Sequence, residues 1–175
     1  MFSQIINMLQ TCDTDHGVLP PTEVYNESWM LRLILDWFSR QPPSDHQLSF
    51  EKDARWYSEI LLPSQFLPRF QKDHQAESYT HADGVIGAFS IGRSGKGDID
   101  LDPDAKQFVV LEAKIFSSLS KGIRNFKNYD QATRTIACIA ETISIKEKQI
   151  NDLSRLGFYV VAPEKQIKFE PTFQT

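Results

Sequence analysis

The sequence predicts an α/β domain with a mixed central sheet, an antiparallel hairpin within that sheet, and helices on both sides. Three observations indicate this class. Residues 108–116 form an apolar, β-branched and aromatic run, and a stretch of β character at 79–91 precedes it across a glycine-containing break. A helical pattern follows, and then a further apolar run at 157–163, in the order of a crossover connection. At 175 residues and 41% hydrophobic, the chain fits a single domain, 1–175, with its core at about 22–163.

The charge and the apolar runs narrow the range of functions. A net charge of -4 argues against a protein that coats nucleic acid by bulk electrostatics. It does not exclude a nuclease, because carboxylates around a metal ion add negative charge. No window is apolar enough to cross a bilayer, and no basic segment followed by an apolar one opens the chain, so we expect a soluble cytoplasmic protein with no membrane partner.

Basic residues flank the central run 108–116 and are candidates for contacts with phosphates. A solvated surface is the alternative interpretation for each of them. They are Arg93, Lys96, Lys121, Arg124, Lys127 and Arg134.

A first helix is predicted from Thr22, a candidate N-terminal cap, to about Arg40, where Gln41 and two prolines end it. Large apolar side chains fill most of this helix, so we expect it to be largely buried. Glu23 and Glu27 lie one helical turn apart near its start and can point the same way. Favourable charge at the helix N-terminus is the alternative role, particularly for Glu23.

A second helix is predicted from about Ser49 to Leu62, where apolar residues recur near helical spacing. Pro63 and Pro68 end it. Residues 63–75 are ambiguous between an irregular segment and a short edge strand.

The two stretches of β character predict a long hairpin, with the second strand beginning near Lys106. Residues that face each other in an antiparallel pair have numbers with a constant sum. With the midpoint of the turn at residue 98, Asp83 falls opposite residue 113, beside Glu112 and Lys114. A bulge would shift this register by a residue or two.

After the hairpin, a loop at 117–122 leads into a helix that starts between Asn125 and Asp130. The apolar stripe of this helix is predicted to pack on the sheet. It comprises Ala132, Ile136, Ala137, Ile139, Ala140 and Ile143. The run 157–163 then joins the sheet as a strand closed by a proline.

The central strand carries two opposite charges in its middle. Side chains alternate along a strand, so one face carries Val110, Glu112 and Lys114. The other face, which we expect to be the core face, carries Val109, Leu111, Ala113 and Ile115. A glutamate and a lysine in a strand otherwise made for burial are costly unless they are paired, which indicates a site.

Asp83, Glu112 and Lys114 suit the metal-assisted hydrolysis of a phosphodiester. Carboxylates supply the hard oxygen ligands that Mg²⁺ prefers, and a bound metal can activate a water molecule. The ammonium group of Lys114 can orient this water or stabilise charge in the transition state. A cross-strand ion pair on an exposed face is the alternative for Glu112 and Lys114, and a turn before Gly84 is the alternative for Asp83.

These residues resemble the PD-(D/E)xK nucleases, in which an aspartate on one strand is followed by Glu-x-Lys on the next. The match is Ala-Asp-Gly-Val-Ile-Gly at 82–87 and Val-Val-Leu-Glu-Ala-Lys at 109–114, and with the following helix and strand it covers about 80–162. Ala82 replaces the proline of the motif. The resemblance implies a restriction-endonuclease-like fold, DNA as substrate, and Mg²⁺ as cofactor, with Mn²⁺ able to substitute.

The resemblance also implies a larger set of site residues. Asp83, Glu112 and a glutamate of the first helix, Glu27 rather than Glu23, would hold the metal, with Lys114 assisting the water. Gln131 matches a glutamine found after Glu-x-Lys in some branches, although a polar residue at a helix start is the alternative. The resemblance also allows a homodimer, since nucleases that cut both strands are often dimers. The alternative function is a catalytically inactive module of this fold that binds nucleic acid or a protein.

Two other patterns in the hairpin turn are excluded as sites. Four alternating aspartates resemble a calcium loop, but Pro103 stands where that loop needs glycine and Val109 where it needs glutamate. The glycine-containing run 92–97 is followed by Asp98, where a phosphate-binding loop has lysine and then serine or threonine. We therefore expect an acidic exposed loop.

Overall fold

The structure, a computed structural model, describes residues 26–66, 70–71, 79–92, 98–115, 117, 119 and 130–167. The elements in chain order are α1 (Glu27–Phe38), β1 (Arg55–Pro63), β2 (Tyr79–Gly87), β3 (Phe89–Ile91), β4 (Ile99–Leu101), β5 (Gln107–Ala113), α2 (Gln131–Ile145) and β6 (Arg155–Val161). Short 3₁₀ helices lie at Ile150–Asp152 and Glu164–Gln166. Within these ranges no helix is both long enough and apolar enough to cross a bilayer.

Four strands form one mixed sheet in the order β1-β2-β5-β6. β2 is antiparallel to β1 and β5, whereas β6 is parallel to β5. β3 and β4 form a separate two-stranded hairpin. The predicted α/β class is confirmed: an antiparallel pair, β2 and β5, occupies the centre of the sheet, and the crossover through α2 brings β6 alongside β5.

α1 begins with a side-chain cap and buries a narrow face. The side chain of Asn26 accepts a hydrogen bond from the Trp29 amide at 3.0 Å, which satisfies one of the unpaired donors at the helix start. Leu31 and Leu35 are fully buried. The expectation of a largely buried helix is only partly met, because most of its other residues are half-buried and Trp37 is 57% exposed. The predicted cap Thr22 lies outside the described residues.

The predicted helix from Ser49 to Leu62 is wrong. Its second half is the strand β1, which pairs with β2 along nearly its whole length. Asp53 and Glu59 have φ angles of 65° and 57°, in a left-handed region that a right-handed helix cannot include. The helical spacing of apolar residues was coincidental, as short apolar runs fit either period, and Tyr57 is in fact 44% exposed.

β5 is buried along its entire length. Leu111 and Val109 pack in a cluster with Leu31 and Leu35 of α1. On the other face, residues of β5 pack in a cluster with Cys138 and Ile139 of α2. The sequence predicted that only one face of this strand is in the core. In the structure both faces of β5 are in the core, as in a strand that helices cover on both sides.

α2 starts at Gln131, capped by the side chain of Asp130, which accepts a hydrogen bond from the Thr133 amide at 2.7 Å. The predicted stripe of this helix is displaced. Ile136 and Ala140 are exposed, whereas the buried residues are Thr135, Cys138, Ile139, Thr142 and Ile143. The threonines can be buried because their hydroxyls donate to carbonyls one turn earlier, Thr135 to Gln131 at 3.0 Å and Thr142 to Cys138 at 2.8 Å.

The acidic residues of the β3–β4 hairpin have structural partners. Asp100 forms an ion pair with Lys146 of α2. The Oδ1 atom of Asp102 accepts a hydrogen bond from the Asp104 amide at 2.9 Å, closing a turn of the kind that aspartate favours. These contacts account for two of the four alternating aspartates without a calcium ion.

Candidate active site

The candidate site lies where the central strands β2 and β5 separate. Their ladder ends at the pair Gly84–Leu111. The next pair in this register is Asp83 with Glu112, one residue from the position that the sequence predicted. Instead of a backbone pair, the Oδ2 atom of Asp83 accepts a hydrogen bond from the Ala113 amide at 2.7 Å. The Asp83 side chain therefore spans the opening between the strands, and it lies within β2 rather than in a turn.

Glu112 is a buried carboxylate, 4% exposed. Its Oε1 atom accepts a hydrogen bond from Nζ of Lys114 at 2.8 Å, and the same oxygen accepts one from Nε2 of Gln131. A buried charge is tolerated when it is paired and hydrogen-bonded. The first turn of α2 and the end of β5 thus meet at this one oxygen atom.

Glu27 reaches the site from the first turn of α1. Its Oε1 atom accepts hydrogen bonds from the Ile115 amide and the Ser117 hydroxyl, both at 2.9 Å. These contacts hold the segment that immediately follows Lys114. The structure therefore places Glu27 near the other candidates, with its Oε1 atom bound to Ile115 and Ser117. Glu23, its sequence alternative, lies outside the described residues.

The electrostatics of Asp83 are unfavourable for an ionised carboxylate. Burial raises the pKa of Asp83 from its ordinary 3.8 to about 6, with further raising contributions from the charges of Glu112 and Glu59. The Ala113 hydrogen bond and the charge of Lys114 act in the lowering direction. Groups with strongly shifted pKa values concentrate at functional sites, and this one lies between two other carboxylates.

Lys114 is surrounded by negative charge. Burial acts to lower the pKa of Lys114, but the hydrogen bond and charge of Glu112, together with the charges of Glu27 and Asp83, raise it overall. The lysine is therefore held in its ammonium form. Among the residues that the structure describes, the ammonium group of Lys114 faces the three acids Glu27, Asp83 and Glu112, which leaves an excess of negative charge that a cation would offset.

Glu59 is a further neighbour of this site, and the sequence did not indicate it. It was assigned to a helix, but it lies on β1 across from Asp83 and its charge contributes to the raised pKa of Asp83. The Oε1 atom of Glu59 accepts a hydrogen bond from the Ser28 hydroxyl at 2.7 Å and lies 3.9 Å from the Arg32 guanidinium. The apolar residues Ile60, Leu61 and Leu62 form a short run that fits a strand as well as a helix, so the sequence carried no specific signal for β1.

The donor chemistry of the site fits a hard divalent cation. In the part of the chain that the structure describes, no hydrogen bond involves Oδ1 of Asp83 or Oε2 of Glu112, so each carboxylate has an oxygen that a metal ion could use. The same part contains no group of three or more His, Cys, Asp or Glu residues placed to hold a metal ion. Mg²⁺ typically takes one or two carboxylates, several waters and substrate phosphates, so two carboxylates suit a site that the substrate completes.

The predicted phosphate contacts fall largely outside the described residues. This applies to Arg93, Lys96, Lys121, Arg124 and Lys127. The remaining member of that set, Arg134, lies half-buried on α2.

Comparisons with family models, curated proteins and solved structures returned no significant match. The resemblance to PD-(D/E)xK nucleases therefore stays a prediction that rests on residues 82–87 and 109–114.

Proposed function

We propose that this protein is a Mg²⁺-dependent nuclease of the PD-(D/E)xK type, with a restriction-endonuclease-like fold, that hydrolyses phosphodiester bonds in DNA. The observation that carries the proposal is the meeting of Asp83, Glu112 and Lys114 where β2 and β5 separate. The order of elements supports it as well. The helix α1, the antiparallel strands β2 and β5 that bear the acidic residues, the helix α2 and the parallel strand β6 occur in this order along the chain, as the resemblance implies.

In this proposal Asp83 and Glu112 hold Mg²⁺, and Mn²⁺ can substitute. A metal ion there supplies a Lewis acid for the phosphate and lowers the pKa of a bound water. Lys114 keeps its proton and orients the attacking water or stabilises charge that develops on the phosphate. Its position is fixed by the 2.8 Å bond to Glu112.

Two residues position this group. Gln131 donates to the Glu112 oxygen that also accepts from Lys114, so it fixes the orientation of the carboxylate. Glu27, predicted from the resemblance as a metal ligand, binds the Ile115 amide and the Ser117 hydroxyl in this structure. We assign it the role of ordering the chain after Lys114.

The second candidate is a catalytically inactive module of the same fold that binds nucleic acid or a protein. The ion pair of Lys114 with buried Glu112, closed by Gln131, favours it, because such a set can be purely structural. The raised pKa of Asp83 favours the nuclease over the inactive module. A carboxylate whose pKa is raised to about 6 opposes folding in its ionised form, a cost that a cation ligand explains and a structural pair does not.

The test is incubation of the protein with linear, circular and branched DNA, in Mg²⁺ or in EDTA. We expect cleavage in Mg²⁺ only, and the substrate that is cut identifies the form of DNA preferred. Lys114→Ala should lower the rate by about a hundredfold, the scale of losing one charge-stabilising group. Lys106→Ala, which truncates an exposed lysine before β5, is the matched control and should cut like the wild type. A wild-type protein that cuts none of these substrates would favour the binding module.

A further inference from the structure

The ladder between β1 and β2 is interrupted at one opposed pair, Glu59 and Asp83. The flanking pairs are 55–58 with 84–87 and 60–63 with 79–82. All of these pairs share one register, so neither strand contains an inserted residue. Glu59 nevertheless has a φ angle of 57°, in the left-handed region that residues with a Cβ atom seldom adopt.

β1 changes the face that it presents at this point. Ser58 accepts a hydrogen bond from Nε of Arg32 on α1 at 2.9 Å. Ile60, two residues later, packs in the cluster that contains Ile139 of α2. Residues two apart on a regular strand share a face, so the strand has switched faces between Ser58 and Ile60, at Glu59.

β2 changes face at the opposed residue, Asp83. Gly84 lies against α1, where an added Cβ would come within 2.9 Å of the Leu31 side chain. Ala82, two residues earlier, belongs to the cluster of α2. The two strands thus switch faces together, at Glu59 and Asp83.

The change of face decides where the Asp83 carboxylate lies. With regular alternation, residue 83 would share the face of Val85, which is fully buried in the apolar cluster against α2. Instead, Asp83 lies beside β5 and accepts the Ala113 hydrogen bond at 2.7 Å.

We propose that Glu59 is a positioning residue whose left-handed backbone sets the paired change of face and thereby directs the Asp83 carboxylate to Ala113. Its side chain contributes an anchor, since its carboxylate accepts the Ser28 hydroxyl of α1 at 2.7 Å. The consequence for cleavage rests on the proposed function, whereas the consequence for the Ala113 amide does not.

The test compares Glu59→Gly, Glu59→Ala and Glu59→Val. Glycine adopts the left-handed region freely, alanine less readily, and a β-branched residue least. We measure hydrogen exchange at the Ala113 amide by NMR, with the Val110 amide as internal reference, and kcat and KM on the DNA that the wild type cuts. Protection of Ala113 should fall in the order glycine, alanine, valine, with glycine close to the wild type. Glu59→Val should lower kcat by about a hundredfold, the scale of a misplaced catalytic group, with KM little changed.

Tyr57→Val is the matched control, because it places the same residue at an exposed position of β1 two residues away. It should leave both measurements unchanged. If Glu59→Val does not fold, as judged by circular dichroism, the glycine and alanine variants decide the matter. Equal Ala113 protection in those two variants, or a glycine variant that loses protection as valine does, would overturn the proposal. A wild type that cuts no DNA would sink the nuclease proposal and leave the exchange experiment valid.

Discussion

At the scale of single residues, the informative feature is a carboxylate that makes the folded protein less stable. The pKa of Asp83 rises from 3.8 to about 6 because the side chain is buried and lies near Glu112 and Glu59. A structural acid usually shows the opposite shift, since hydrogen bonds and cationic partners lower its pKa. The unfavourable charge is therefore evidence for a role other than stability.

Asp83→Asn should raise the free energy of unfolding near neutral pH. The pKa of the wild-type Asp83 is higher in the folded state, so the folded state holds the proton more tightly. The contribution of Asp83 to stability is therefore favourable below about pH 4 and is lost as pH rises through about 6. After discounting for solvent screening, we expect the variant to be more stable than the wild type by roughly 1–2 kcal/mol above that window and similar below it. Urea titrations across the window measure this difference. A variant less stable than the wild type near neutral pH would contradict the assignment.

Lys114→Ala should lower the free energy of unfolding. The side chain is only 13% exposed and its partner Glu112 only 5%. Removing one member of a buried pair leaves the other charge uncompensated, at a cost of roughly 3 kcal/mol. Mg²⁺ should restore part of this loss by replacing the missing positive charge. Chemical denaturation in Mg²⁺ and in EDTA measures both effects, and an equal loss under the two conditions would argue against a metal beside Glu112.

At the scale of elements, helices cover both faces of β5, so we predict that truncating a side chain on either face destabilises the protein. Leu111→Ala, on the face toward α1, should cost about 2–5 kcal/mol through lost burial and a cavity. Phe108→Ala, on the face toward α2, should cost about 3–5 kcal/mol for the same reason. Val160→Ala on β6 is the control, since that residue is 40% exposed. A mild effect at Phe108 would mean that only one face of β5 is core.

The sequence predicted those elements whose signal is local. The antiparallel pairing of β2 with β5, a helix that starts between Asn125 and Asp130, and the strand β6 follow from apolar runs and chain order. It failed at β1, because the pairing with β2 is long-range and the left-handed residue Glu59 has no sequence signal of its own. The contacts of α1 and β1 with the other elements could not be derived from the sequence pattern either.

At the candidate site, too, local features were predictable from the sequence and long-range contacts were not. The proximity of Asp83, Glu112 and Lys114 was predictable because their spacing on two paired strands is a matter of register. The hydrogen bond from Asp83 to the Ala113 amide depends instead on where the strands part. Residues from β1 and α1 approach through tertiary packing, so the place of Glu59 and the actual partners of Glu27 emerged only from the structure.

At the scale of the whole molecule, two helices and three strands converge on one end of the central hairpin. α1 brings Glu27, β1 brings Glu59, β2 and β5 bring Asp83 and Glu112, and α2 brings Gln131. Four of these five side chains are acidic. Lys114 pairs with Glu112 and Arg32 lies beside Glu59, and we propose that a divalent cation offsets the negative charge that these two cations leave.

The measurement that tests this claim most directly is the melting temperature of the wild type and of Asp83→Asn as a function of Mg²⁺, at constant ionic strength. A ligand that binds only the folded state stabilises it by mass action, by about 2.7 kcal/mol at a hundred times its dissociation constant. We predict that the melting temperature of the wild type rises with millimolar Mg²⁺ and that Asp83→Asn abolishes the rise. Asp104→Asn, which changes an exposed acid of the loop before β5, should keep it. A wild-type melting temperature that does not respond to Mg²⁺, or a response that Asp83→Asn retains, would contradict a metal site at Asp83.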